Sequence, residues 1–181
     1  ADALWVEHAL ALHTLQQDLI GLLSQRFAVD VEIVPSDAMQ GELRRYNPLN
    51  RRLDLSEMLP LPSRTFQLAH QLAFLALRKE IEAVVASGKF LTAQADALAR
   101  SALANYFAGA VLMPYARFLA AARSTRYDID VLQHRFGVSF EQVCHRLTTL
   151  RRPGEAGVPF HLIRVDIAGN ISKLSLIHIS E

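Results

Sequence analysis

The longest apolar stretch in the chain, Ala102 to Ala116, narrows the possible folds more than any other segment. Asn105 and Pro114 interrupt it, and it falls short of the roughly 18 apolar residues that span a bilayer. A segment this apolar that cannot reside in lipid must be buried by other protein elements, so it reads as a core helix over about Thr92 to Met113, ending before Pro114. Its Ala-rich middle allows a second helix to approach closely. That second helix is supplied by Phe66-Gln-Leu-Ala-His-Gln-Leu-Ala-Phe74, whose apolar residues lie on more than one face. It runs towards Ser87-Gly88, with Ser63 positioned to cap its start and Gly88 to end it in a left-handed conformation. Two buried helices would frame any pocket.

The remaining segments supply a small sheet and further helices. From Leu4 to Phe27, apolar residues recur at helical spacing (Trp5, Leu12, Leu15, Leu19, Leu22, Leu23, Phe27), which predicts one amphipathic packing helix. Val29 to Val34 alternates with period two and ends at Pro35, as a half-buried strand does. Gly41 to Tyr46 and Arg51 to Leu55 flank the turn-rich Asn47-Pro48-Leu49-Asn50, predicting a hairpin and hence a small antiparallel sheet. A short helix from Tyr115 to about Arg123 is followed by helix-turn-helix spacing over Asp128 to Leu150, with Gly137-Val138-Ser139 as the turn. After the Pro153-Gly154 loop, Phe160 to Ile167 alternates like a strand, and Ala168-Gly169-Asn170 forms a turn. The fold class is α+β.

With 181 residues, the chain fits one domain, or one with a small appendage. A hydrophobic share of 51% against 20% charged excludes disorder and requires a filled interior. The net charge of +1 gives no whole-chain argument for nucleic acid. Arg44, Arg45, Arg51 and Arg52 cluster around the hairpin and read as a solvated face. The lone Cys144 excludes an internal disulfide and cannot by itself hold a cluster or a structural zinc, which points to a cytoplasmic setting. No signal peptide is visible and no membrane partner is expected. The first residue is Ala, so the chain reads as a fragment.

In an HExxH helix, two His residues four apart share a face and hold zinc, while the Glu takes a proton from the metal-bound water. His70 stands at the first of these positions, Gln71 replaces the Glu, and Phe74 replaces the second His. Gln is no general base, and Phe has no lone pair to give a metal. Neither catalytic residues nor metal ligands are therefore expected. His134, Cys144 and His145 do not alter this, since they lack a fourth ligand and any tight-turn spacing.

Four pieces, Arg64-Thr-Phe-Gln-Leu-Ala-His-Gln-Leu-Ala73, Ala104-Asn-Tyr-Phe-Ala108, Val111-Leu-Met-Pro114 and Arg135-Phe-Gly-Val-Ser139, occur in the order seen in the ImmA/IrrE family of metallopeptidase-like domains. Within that family the chain resembles the bacterial regulators of short-chain fatty acid metabolism. The resemblance covers about residues 5 to 173. It implies a zincin-like helical core with the small antiparallel sheet, followed by the helix-turn-helix-like segment and a C-terminal strand. The implied boundaries are a degenerate peptidase-like domain over 1–127, the helix-turn-helix-like segment and the start of a regulator domain over 128–173, and an unrelated tail over 174–181 that includes His178. Active members supply a third zinc ligand, a Glu, just before the Ala-Asn-x-Phe-Ala segment, where this chain has Ser101, Ala102 and Leu103.

What the resemblance implies is a sensor: a short-chain acyl-CoA in a catalytically dead cleft, with DNA bound through an N-terminal helix-turn-helix that lies outside this fragment. No cofactor is expected in the fragment, and a homodimer is. Candidate pocket residues are His70, Gln71, Phe74, Asn105, Tyr106, Met113 and Tyr115. Arg64 and Arg78 are candidates for CoA phosphate contact. Each has a plainer reading: a core histidine, a backbone-bonded amide, core packing, or a surface arginine. The alternatives at the level of function are an active zinc endopeptidase that cleaves a repressor and a structural dimerisation domain.

Overall fold

The computed structural model describes residues 1–175, with side chains described as far as residue 171. The chain divides into two compact units, Ala1–Leu112 and the residues from Met113 onward.

In the first unit, α1 (Asp2–Glu7) and α2 (Leu15–Phe27) precede a sheet of β1 (Asp30–Val34), β2 (Arg44–Asn47) and β3 (Arg52–Ser56). Three helices follow: α3 (Leu61–Ala76), α4 (Arg78–Ser87) and α5 (Ala93–Leu112). The single helix expected over Leu4 to Phe27 is two. Ala9 takes a left-handed conformation, and the Asp18 carboxylate in the first turn of α2 accepts hydrogen bonds from the Thr14 hydroxyl (2.9 Å) and the Ala11 amide (3.3 Å). These bonds hold the intervening residues as a loop. The Trp5 indole then donates to the Val111 carbonyl at 2.8 Å, tying α1 to α5.

The hairpin forms as expected, with Arg45 opposite Asp54 and Tyr46 opposite Leu53, but the sheet is mixed rather than antiparallel. β1 runs parallel to β3, pairing Val31 with Leu53 and Ile33 with Leu55. The reason lies in the connection: residues 35–43, which include a 3-10 turn over Asp37–Met39, carry the chain away from β1, and β3 returns to the centre. Leu53, Asp54, Leu55 and Ser56 are accordingly all buried, the mark of a strand covered on both faces.

α3 starts on Pro60, with Pro62 inside the first turn, where a missing N–H costs nothing. Ser63 therefore lies within the helix rather than at its cap. Residues 68 to 73 are all buried, so the helix is enclosed on every side, as the apolar pattern requires. It departs from helical angles at Leu77, which separates α3 from α4. Gly88 has φ −73°, not the left-handed value expected. What Gly88 provides instead is space, because an added Cβ would meet the Phe90 ring at 2.5 Å. α5 packs on α3 and buries Ala104, Phe107, Ala108 and Val111.

The second unit contains α6 (Tyr115–Ser124), α7 (Ile129–Phe136), α8 (Phe140–Leu147), β4 (Leu162–Val165) and β5 (Ile171–Ser175). The helix-turn-helix spacing is realised closely. Gly137 has φ +62°, and Ser139 forms a capping box with Gln142 at the start of α8. The strand expected over 160–167 is shorter and belongs to an antiparallel hairpin, so two strands stand where one was expected. Leu174 and Ser175, the first residues of the expected tail, pair with Ile163 and Leu162 in that hairpin. His178 lies outside the described residues.

Candidate functional site

Strand alternation sorts the four hairpin arginines. Arg45 lies on the same face as Asp54, whose carboxylate accepts from Arg45 Nη2 at 3.1 Å and from Arg52 Nε at 2.6 Å. Burial pushes the Asp54 pKa up, but these hydrogen bonds outweigh it and hold the carboxyl below its usual range. Arg52 also meets Glu32 at 2.7 Å, and Arg51 donates to the Phe27 carbonyl at 3.5 Å. Two of the four arginines, Arg45 and Arg52, are thus paired with carboxylates within the fold. Arg44, one residue earlier than Arg45, points to the other face and donates from Nη2 to the Gln71 side-chain oxygen on α3.

His70 sits beside that contact, 7% exposed. Phe66 and Phe74, one turn before and after it, flank its ring: the centroids are 6.5 Å apart in a near-stacked pair with Phe66 and 4.9 Å apart edge-on to Phe74. Nδ1 is shielded from solvent and has no hydrogen-bond partner among the described residues. Burial, followed by the Arg44 charge, pushes its pKa down to about 4, so the imidazole is neutral at neutral pH. Burial likewise lowers the pKa of Arg44.

Of the residues singled out in the sequence, His70, Gln71 and Phe74 come together on α3. Arg64 lies two turns before Gln71 on the same helix face; its Nη2 donates to the Glu57 carbonyl at 2.6 Å, and its Nε is shielded and unpartnered. Arg78 opens α4 in an exposed position, and its charge acts on Glu82. Asn105 and Tyr106 are exposed on α5. Met113 and Tyr115 are buried in the second unit. There the Met113 carbonyl accepts from Arg146 Nε at 2.9 Å, while the Tyr115 hydroxyl donates to the Glu155 carbonyl at 2.9 Å and accepts from the Arg152 amide at 2.7 Å.

Sequence reasoning missed Arg44, which had been grouped with its neighbours as a solvated face. Alternation puts Arg44 and Arg45 on opposite faces, but which face carries Asp54 and Glu32 opposite the arginines follows from the strand register. Zinc does not fit this arrangement, because Gln71 and Phe74 take the places of base and second ligand. Among the described residues, no group of three or more His, Cys, Asp or Glu could hold a metal ion. Apart from this cluster, α4 and α5 bound an open apolar groove of about 460 Å³ lined by Val84, Phe90, Leu98 and Leu103 among others. No described helix is long and apolar enough to cross a membrane.

The profile of a family described as IrrE N-terminal-like domain matches residues 24–148, and one described as short-chain fatty acyl coenzyme A regulator, C-terminal, matches residues 149–177. The chain is 43% identical over 173 residues to the HTH-type transcriptional regulator PrpR of Mycobacterium tuberculosis, covering 96% of this chain and 35% of that protein. It is 42% identical over 170 residues to the propionyl-CoA carboxylase regulator of Cereibacter sphaeroides, covering 92% and 36%. The chain therefore spans about a third of the length of these curated relatives. A solved structure of a Mycobacterium tuberculosis transcriptional regulator superposes with a TM-score of 0.91 at 42% identity, covering 98% of this chain and 55% of that one.

Proposed function

The chain belongs to the IrrE N-terminal-like domain family, and from that premise we propose that it is the ligand-sensing part of a bacterial, cytoplasmic transcriptional regulator of short-chain fatty acid metabolism. In this reading a short acyl-CoA occupies the cleft around His70, and the signal passes to DNA through an N-terminal module of the longer protein, which acts as a homodimer. The relatives' names and the match over residues 149–177 support the regulator role. The observation that carries the cleft is the α3 trio. A neutral, buried imidazole faces the Phe74 ring, and the Gln71 amide is held by Arg44, an apolar wall with hydrogen-bonding groups beside it, with Gln71 where a Glu base would stand and no metal-ligand set among the described residues. For the ligand to switch the protein it must favour one conformation, by about 1–3 kcal/mol for typical coupling.

Calorimetric titration with propionyl-CoA and acetyl-CoA tests this reading. Saturable heat is expected, together with stabilisation of about 2.7 kcal/mol at a hundredfold excess of ligand over Kd. Neither would be seen with a pure scaffold. A second reading, a structural dimerisation domain, draws on the apolar groove between α4 and α5. Metal analysis of the purified protein addresses the zinc endopeptidase alternative, and substoichiometric zinc with no peptide hydrolysis is expected.

A further inference from the structure

The hairpin carries four guanidinium groups, and the fold supplies an acid for two of them and a backbone carbonyl for a third. Arg44 receives neither. Its partner is the neutral side-chain amide of Gln71, its Nε is shielded from solvent and unpartnered, and among the described residues no carboxylate is paired with it. Beside it, the shielded Nδ1 of His70 is also unpartnered. A half-buried cation without a counter-charge, its Nε shielded, next to a second unmet polar group, is an arrangement that folds normally avoid because each unmet group costs free energy. It is relieved when an anion enters.

We propose that Arg44 anchors an anionic oxygen group, a carboxylate or a phosphate, which displaces the Gln71 amide oxygen from the guanidinium and accepts a second hydrogen bond from His70. The planar guanidinium fork matches both groups, and charge-assisted bonds to it are stronger than its bond to a neutral amide. Gln71 then acts as an internal stand-in that occupies the fork until the ligand arrives. This inference rests on the ligand-sensing reading of the same cleft and changes its content. It assigns charge recognition there to Arg44, not to Arg64 or Arg78. The anion comes either from the nucleotide phosphates of an acyl-CoA or from a free short-chain carboxylate.

The test is calorimetric titration of the whole chain with propionyl-CoA, propionyl-pantetheine, sodium propionate and inorganic phosphate, on the wild type and on Arg44→Gln and Gln71→Glu. The second variant keeps Arg44 and gives it a built-in carboxylate, so it tests the idea even if Arg44→Gln fails to fold. Both variants are expected to weaken at least one anionic probe by roughly tenfold or more, and Gln71→Glu is expected to raise the melting temperature. Binding of propionyl-CoA but not propionyl-pantetheine assigns the anion to the phosphates, and binding of propionate assigns it to a carboxylate. Unchanged affinity for every anionic probe in both variants overturns the inference, as does a wild type that binds none of them. The two levels separate cleanly: saturable propionyl-CoA binding with the affinity of every anionic probe indifferent to both variants sinks the Arg44 role alone, whereas Arg44-dependent binding of propionate or phosphate without any acyl-CoA binding sinks the acyl-CoA reading alone.

Discussion

His70 concentrates most of what a single residue contributes to this fold. Its pKa in the folded protein is about 4, against 6.5 for the ordinary side chain, because burial and the Arg44 charge disfavour the imidazolium. The unfolded chain takes up a proton as pH falls below 6.5 and the folded chain resists it. The stability due to this difference is thus full above pH 6.5 and is lost as pH falls through about 4. Thermal melts between pH 7 and pH 4 should show a smaller fall in melting temperature for His70→Phe than for the wild type; equal falls would mean that His70 is not the buried, neutral group described. The trio of His70, Gln71 and Phe74 was legible in the sequence because helical spacing alone puts positions 70 and 74 on one face. Arg44 was not, since its significance depends on which neighbours have acids opposite them, and that is settled only by strand register.

At the level of elements, the stretches legible in the sequence are those whose signals are local. The α7–α8 turn follows from Gly137 and the Ser139–Gln142 capping box, and the β2–β3 hairpin from Asn47-Pro48-Leu49-Asn50. The parallel pairing of β1 with β3 was missed because residues adjacent in sequence say nothing about a strand inserted between them. The break between α1 and α2 was missed because apolar spacing continues across it, and side-chain bonding to Asp18 decides the matter. α3 is the element on which the first unit depends, enclosed over residues 68–73. Leu68 is fully buried there, so Leu68→Ala should cost about 2–5 kcal/mol, read as a lower urea midpoint at unchanged slope. A cost below about 1 kcal/mol would indicate a site able to collapse around the lost volume.

For the molecule as a whole, net charge and the disposition of its arginines speak to nucleic acid. The helix-turn-helix-like pair has the spacing of a DNA reader, but the single arginine of α8, Arg146, is 4% exposed and donates to the Met113 carbonyl and the Thr149 hydroxyl. With a net charge of +1 and that side chain turned inward, this chain by itself should not retard duplex DNA at about 0.15 M salt, where phosphate contacts need several free Lys or Arg residues. A gel-shift titration that showed retention would reassign the pair. Composition bounded the molecule correctly as one with a filled interior, and Pro114 marked the break between α5 and α6, beside which the division after Leu112 falls.

The indole bond between α1 and α5 has a practical corollary. Trp5 is the one tryptophan in the sequence, and its ring is 9% exposed with its N–H held by the Val111 carbonyl. Fluorescence excited selectively at the indole therefore reports on a single address, the seam where the first helix meets the core. A red shift in emission would mark that helix lifting away, and comparison with circular dichroism would tell whether it detaches ahead of global melting or together with it.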